Sequence, residues 1–121
     1  MTRPTLPSPL SFHATTANTL EGFDIVETFG VVRGITVRSR SLLGRVGALL
    51  QQLGGGEISI LTELCEETRA RAFNIAVEHT KTLGGNALVA VRYDATEIMS
   101  GVSEVLCYGT AVKVVARGGG S

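Results

Sequence analysis

The sequence predicts an α+β fold in which a strand is followed by a long helix and then by a β-hairpin. Residues 23–38 are rich in β-formers and alternate with a period near two. Residues 57–83 contain neither glycine nor proline and carry apolar residues at helical spacing. Two apolar runs flank the dipeptide Ser100–Gly101, which is typical of a hairpin. At 121 residues, the chain has the length of one domain.

The β-rich part of the N-terminal half is interrupted by glycine. Residues 12–17 are a candidate short strand. Residues 23–29 and 31–38 follow, with Gly30 between them and Gly34 inside the second run. Glycines inside a β pattern indicate bulges or a bend rather than a tight hairpin.

The ends and one internal segment are predicted to lie outside this framework. Residues 42–53 have the apolar spacing of a short helix, which the three glycines at 54–56 would end. All three prolines lie in the first nine residues, so residues 1–11 are predicted to be a flexible or extended tail. The domain boundaries are therefore a tail over 1–11, one α+β domain over 12–117 and a glycine-rich end over 118–121.

The helix over 57–83 is predicted to be amphipathic, with Gly84 as its stop signal. Charges opposite the apolar face favour ion pairs of Glu67 with Arg71 and of Glu78 with Lys81. The apolar face holds Ile58, Leu61, Cys65, Thr68, Ala72, Ala76, His79 and Leu83. Apolar neighbours widen this face beyond what one packing surface needs.

The hairpin strands, residues 86–98 and 104–116, include stretches that are apolar on both faces. Such stretches belong to sheets that are covered on both sides, and one long helix can cover only one. The second face and the broad helix face would need another cover. The sequence therefore predicts self-association, which hides contiguous apolar surface between copies.

Composition excludes several function classes. Lysine plus arginine and aspartate plus glutamate each total 11, so the formal net charge is zero, and there are only 4 Phe, 2 Tyr and no Trp. Electrostatic capture of nucleic acid and base stacking are therefore not expected. No apolar run reaches membrane-spanning length. The 2 cysteines make no disulfide framework, so we expect a protein of the reducing cytoplasm.

The soft metal ligands in the chain are few and scattered. Cys65 and His79 lie on one helix face but about 21 Å apart along its axis, so they cannot share an ion within one subunit. If Met99 faces Val102 across the turn, Cys107 stands opposite Asp94, which is a conceivable pair of ligands. No CxxC or HxxxH spacing is present, and each of these residues is also explained as an ordinary packed or strand-end side chain.

The same register places Glu97 opposite Glu104 beside the turn. Two facing carboxylates could bind a hard cation or share a proton, although they are equally explained as solvated charges at a hairpin tip. The glycines at 54–56 lack the lysine and Ser/Thr of a phosphate-binding loop and indicate a connector. Four arginines could form a basic rim in an assembly or simply a solvated face: Arg33, Arg38, Arg40 and Arg45.

Several segments together resemble the YbjQ family, a group of small, mostly bacterial proteins of unknown function that is also described as heavy-metal-binding. They are residues 20–26, residues 30–37, the long helix, residues 84–94 and residues 104–112, in the family's order and spacing. The resemblance covers about residues 15–115. The chain departs from the family at Tyr93, where phenylalanine is usual, and in its longer proline-rich tail.

The resemblance implies an α+β subunit similar to that of dodecin and a ring-shaped homopentamer or a multiple of it. It implies a metal ion only through the family's description, without a defined ligand motif. The interpretation is a non-enzymatic, self-assembling protein whose ring forms a binding surface. The alternatives are an enzyme with an intersubunit site built from Asp94, Glu97 or Glu104 with a neighbour's His79, or a scaffold that docks a partner through residues 1–11.

Overall fold

The structure is a computed structural model that describes residues 12–39 and 57–117, with Arg45 and Ala48 between them; of residues 57–61 it describes the backbone alone. The predictions for residues 1–11, 54–56 and 118–121, and for nearly all of 42–53, lie outside these ranges. The described elements are β1 (His13–Ala14), β2 (Phe23–Ser39), α1 (Glu57–Leu83), β3 (Ala87–Met99) and β4 (Val102–Ala116).

The described strands form one mixed sheet in the order β1-β3-β4-β2. β3 and β4 are the predicted hairpin, β2 pairs antiparallel with β4, and β1 pairs parallel with β3. β2 is a single strand in which the pairing shifts between Ile25 and Glu27 and again between Thr28 and Gly30. Gly30 has a φ of 104°, which glycine adopts without a steric cost. The α+β class and the bulge expected at Gly30 are thereby confirmed, whereas Gly34 pairs regularly with Cys107 and marks no bulge.

α1 packs on one face of the sheet, above β2 and β4. Gly34 makes this close approach possible, because a Cβ there would overlap the Ala72 carbonyl oxygen of the helix. The core on this side contains Val32, Ala72, Ala76, Leu88, Val91, Cys107 and Ala111. We call this side of the sheet the helix face and the other side the far face.

The predicted helix stripe is correct in its middle and wrong towards its ends. Ala72 and Ala76 are fully buried, and the later buried positions are Val77 and Thr80 rather than His79. Cys65 and Leu83 are exposed. The sheet twists beneath α1, so the helix positions that contact it do not keep one fixed spacing along the whole helix. Both predicted ion pairs are present on the exposed side, Arg71–Glu67 at 3.2 Å and Lys81–Glu78 at 3.9 Å.

Part of the far face is covered by the chain itself. Ala87, Val89, Val112 and Val114 are buried there beneath Leu20 and Phe23, which come from the loop before β2 and from its first residue. The expectation that this end of the hairpin needs a second copy for cover is therefore wrong. The uncovered apolar surface lies further along the sheet, towards the hairpin turn.

The predicted hairpin register holds only at the turn. Met99 faces Val102 as expected, but the pairing shifts between Glu97 and Met99 and again between Val89 and Arg92. The second shift surrounds Ala90, a non-glycine residue with a φ of 56°. Its N–H and that of Val91 donate to the carbonyl oxygens of Ala17 and Thr15, so the bulge anchors the N-terminal segment to the edge of β3.

Candidate functional site

Chemically distinctive side chains gather in a crevice between the N-terminal half of α1 and the helix face of the hairpin. α1 covers β2 and β4 but not the second half of β3, so a recess of about 200 Å³ opens beside it. We call it the helix–hairpin crevice. Its lining consists of Arg38, Leu64, Cys65, Thr68, Arg69, Ala95 and Val105.

A guanidinium group forms the inner end of the crevice. Arg38 has the same parity along β2 as Val32 and Thr36, so its side chain is directed to the helix face. Its Nε donates to Thr68 Oγ1 at 2.8 Å, and that hydroxyl donates to the Leu64 carbonyl oxygen at 2.8 Å. The Nη2 atom of Arg38 is buried and has no hydrogen-bond partner among the described residues. A buried donor without a partner favours an acceptor from a ligand or a water.

Tyr93 and Cys107 form the neighbouring part of the helix face, since they lie directly opposite each other on β3 and β4. Burial raises the pKa of the Cys107 thiol, and the hydrogen bond with Tyr93 opposes that rise. Burial also raises the pKa of Tyr93, with a further increase from Cys107. The Arg69 guanidinium carbon lies 5.6 Å from the centroid of the Tyr93 ring, in cation–π contact. Cys107 is therefore a neutral thiol at pH 7 and a weak nucleophile.

The predicted pair of Cys107 and Asp94 is wrong. Asp94 lies opposite Leu106, one position away from the predicted partner, because of the shift near the turn. Since successive side chains alternate between faces, this single step puts Asp94 on the far face while Cys107 stays on the helix face. The two cannot share a ligand within one subunit.

The predicted pair of Glu97 and Glu104 fails for the same reason. Glu97 lies opposite Ser103 on the helix face, and its Oε2 atom accepts a hydrogen bond of 3.1 Å from the Gly101 N–H in the turn. Glu104 lies opposite Thr96 on the far face. Of the four candidate metal ligands, Asp94 and Glu104 share the far face, and Cys107 and Glu97 share the helix face.

Cys65 and His79 line different cavities, as their predicted separation requires. Cys65 lies at the helix–hairpin crevice, whereas His79 lies on the other flank of α1 in a recess of about 390 Å³ beside β2. Arg33 and Arg38 do not share a face, since Arg33 is exposed on the far face of β2 and Arg38 is directed to the helix face. Arg45 is exposed, and Arg40 lies outside the described residues.

A single subunit does not supply a metal centre from its described side chains. Within residues 12–39 and 62–117, no three His, Cys, Asp or Glu side chains are grouped closely enough to hold a metal ion. Glu57 is the only residue of these four types whose side chain lies outside those ranges. The donor set that a heavy metal requires therefore does not fit one copy of the chain.

The crevice is suited to binding rather than to covalent chemistry. Its two guanidinium groups favour an anionic group, and Leu64, Ala95 and Val105 give it apolar walls. The signal for Arg38 was present in the sequence, since it continues the alternation of β2. Tyr93 could not be assigned to Cys107 without the position of the bulge.

The described residues contain no helix both long and apolar enough to cross a membrane. The chain matches the YbjQ family model, described as "Putative heavy-metal-binding", over residues 12–115. It is 57% identical over 101 residues to a UPF0145 protein of Solibacter usitatus, covering 84% of this chain and 90% of that protein. It is 56% identical over 104 residues to a UPF0145 protein of Burkholderia thailandensis, covering 86% of this chain and 94% of that protein.

The fold itself has a structural counterpart. A crystal structure of a protein of unknown function from Pediococcus pentosaceus, assigned to the DUF74 family, superposes with a TM-score of 0.55 over 85% of this chain and 97% of that one. At 15% identity the likeness concerns the fold alone. The family match and the relatives over most of their length establish that the chain belongs to the YbjQ family.

Proposed function

We propose that this protein is a non-enzymatic, self-assembling member of its family whose dodecin-like, ring-shaped homo-oligomer, a pentamer or a multiple of one, forms a binding surface for a metal ion. The observation that carries the proposal is the apolar surface that one subunit leaves uncovered. Val31, Ile35 and Val37 are 70%, 42% and 53% exposed on the far face. Contiguous exposed apolar surface is typical of an interface between copies.

This surface is continuous across two strands. In the far-face row, Val31 pairs with Thr110, Ile35 with Leu106 and Val37 with Glu104. The half-buried Leu106 thus joins Ile35 and Val37 in one patch beyond the reach of Leu20 and Phe23, which cover only the other end. Arg33, opposite Tyr108, separates this patch from Val31. Burying such a patch stabilises an assembly by roughly 25 cal/mol per Å² of apolar surface.

The ligand part of the proposal follows from the scattered donors. Because one subunit groups no three metal-binding side chains in its described part, the donors would have to come from more than one copy. Asp94 and Glu104 are accessible to a neighbour on the far face, and His79 is accessible beside β2. The family's description as heavy-metal-binding is the second support. Free Cys65 and Cys107 favour the reducing cytoplasm as its location.

Native mass spectrometry combined with elemental analysis tests both parts. We expect a mass that is a multiple of the 12.7 kDa chain at micromolar concentration, and retention of added Zn²⁺ after dialysis. Val37→Lys should weaken assembly at least tenfold, whereas Val115→Lys, the same change at a similarly exposed site away from the patch, should not. A monomer would overturn the proposal of self-assembly. An assembly that retains no zinc would overturn the metal part alone.

A further inference from the structure

We infer that copies of this chain join edge to edge, with the second half of β3 of one copy pairing with the open edge of β2 of the next, so that the sheet continues between subunits. The inference rests on the proposed self-assembly and adds a contact between strand edges to the contact of the far-face patch. It follows from the shape, polarity and charge of the two strand edges.

The first surface is the outer edge of β2, the last strand in the sheet order. After the bulges its pairing with β4 is regular from Val31 to Ser39, and no described strand pairs with its other side from Val31 to Arg38. Two cavities of about 390 and 560 Å³ follow this edge where α1 overhangs it. Consecutive residues of β2 line each cavity, so both open onto the strand edge rather than onto one face. We call them together the β2–α1 groove.

The second surface is the outer edge of β3 beyond its bulge. The N-terminal segment covers this edge only as far as Val91, whose N–H donates to the Thr15 carbonyl oxygen. From Arg92 to Met99 every residue is exposed, and among the described strands only β4 pairs with this run. An unpaired edge of this length is a ready template for another strand.

The two edges match in direction and extent. β2 and β3 are both antiparallel to β4, so they run parallel to each other on opposite sides of the sheet. A neighbour in the same orientation can therefore place its β3 beside β2 as a parallel strand. A bulge precedes each open run, at Thr28/Gly30 in β2 and at Val89/Arg92 in β3. After its bulge, each run continues as a regular strand whose outer edge can pair with another strand.

Charge favours this pairing over two alternatives. Arg33, Arg38 and Arg71 line the β2–α1 groove, and no acidic residue does so. The open run of β3 carries Asp94 and Glu97 besides one basic residue, Arg92, whose Nη1 already donates to the Thr16 and Val91 carbonyl oxygens. Two β2 edges would bring arginines together and two β3 edges would bring carboxylates together, whereas β2 with β3 joins opposite charges.

Both strands can also direct their side chains to the correct faces in this arrangement. Arg33 and Asp94 both lie on far faces, while Arg38 and Glu97 both lie on helix faces. Because a parallel strand continues the faces of the sheet, Glu97 would lie level with Arg38, since both are opposite Ser103 of β4. Asp94 would lie one diagonal position from Arg33, which is within reach of a long side chain. An interface between different surfaces of the same chain is heterologous, and such interfaces generate rings when the rotation closes.

Complementary variants test the inference in the full-length protein. Arg33→Glu with Arg71→Glu disables the groove, and Asp94→Lys with Glu97→Lys disables the β3 edge. Each double variant alone should assemble at least tenfold more weakly than the wild type in native mass spectrometry. A mixture should recover larger assemblies that contain both variants, because the reversed charges of one variant's groove face the reversed charges of the other variant's β3 edge. Glu21→Lys with Glu63→Lys, which changes the charge equally at exposed sites off both edges, should assemble as the wild type does.

The inference is overturned if the wild type assembles but either double variant keeps its full mass, or if the mixture stays monomeric. Neither result affects the proposed function, which a monomeric wild type would overturn. If one of the double variants fails to fold, cysteine cross-linking tests the inference independently. In a Cys65→Ser background, Ile35→Cys and Asp94→Cys variants should form a disulfide with each other in the mixture, because both positions lie level with Leu106 on the far face. Cross-linking confined to chains of the same variant would contradict the inference.

Discussion

Replacing Gly34 by alanine tests the contact that fixes the helix on the sheet. An added Cβ would lie 2.8 Å from the Ala76 nitrogen and 2.9 Å from the Ile75 Cβ, and it would overlap the Ala72 carbonyl oxygen. Ordinary contacts of this kind begin near 3.4 Å. α1 would therefore have to move outward by half an ångström or more along its central turns, over the most completely buried part of the core.

The expected loss is about 2 kcal/mol of unfolding free energy. Overpacking of a filled core costs about 1–3 kcal/mol, and this site lies at the upper end because two of its three nearest atoms are backbone atoms. Alanine returns about 0.5–1 kcal/mol through its lower flexibility in the unfolded chain. For a domain of this size the net loss lowers Tm by roughly 8 °C.

Urea denaturation followed by far-ultraviolet circular dichroism measures the loss at fixed protein concentration. Thr28→Ala, at an exposed position of the same strand, is the control and should change stability by no more than about 0.5 kcal/mol. Ile75→Ala in the Gly34→Ala background should not restore stability, because it leaves the Cβ that makes the contact. If Gly34→Ala unfolds within about 0.5 kcal/mol of the wild type, the close backbone approach is wrong.

Two other predictions concern the bulge and the Tyr93–Cys107 pair. Ala90→Gly should raise the free energy of unfolding by about 0.5–1 kcal/mol in urea denaturation, since it relieves a left-handed backbone, and Ala90→Val should lower it. The opposite order would contradict the φ of 56°. Stability should fall as pH rises through about 9–10, because the unfolded chain ionises a thiol and a phenol whose folded pKa values are raised above the ordinary 9.0 and 10.0. Tyr93→Phe removes one of these two groups and should make the fall shallower in alkaline denaturation curves, and a fall of unchanged slope would refute the linkage.

The hairpin shows why composition located the candidate ligands but not their geometry. Its strands and turn were predictable, because apolar alternation and a Ser-Gly turn are local signals. The pairing shift beside Met99 was not, since no glycine or proline marks it. One residue of slip changes the face of every later side chain, so a small error in register separated Asp94 from Cys107 and Glu97 from Glu104.

The sequence by itself determined the α+β class, the span of α1, the bulged nature of β2 and the two surface ion pairs, because each depends on neighbours a few residues apart. Only the tertiary structure decided that Leu20 and Phe23 cover one end of the far face and that Arg38 and Thr68 meet at the crevice. Those contacts join residues distant in the chain, and they depend on sheet order and on where bulges shift the strands, which no local pattern encodes.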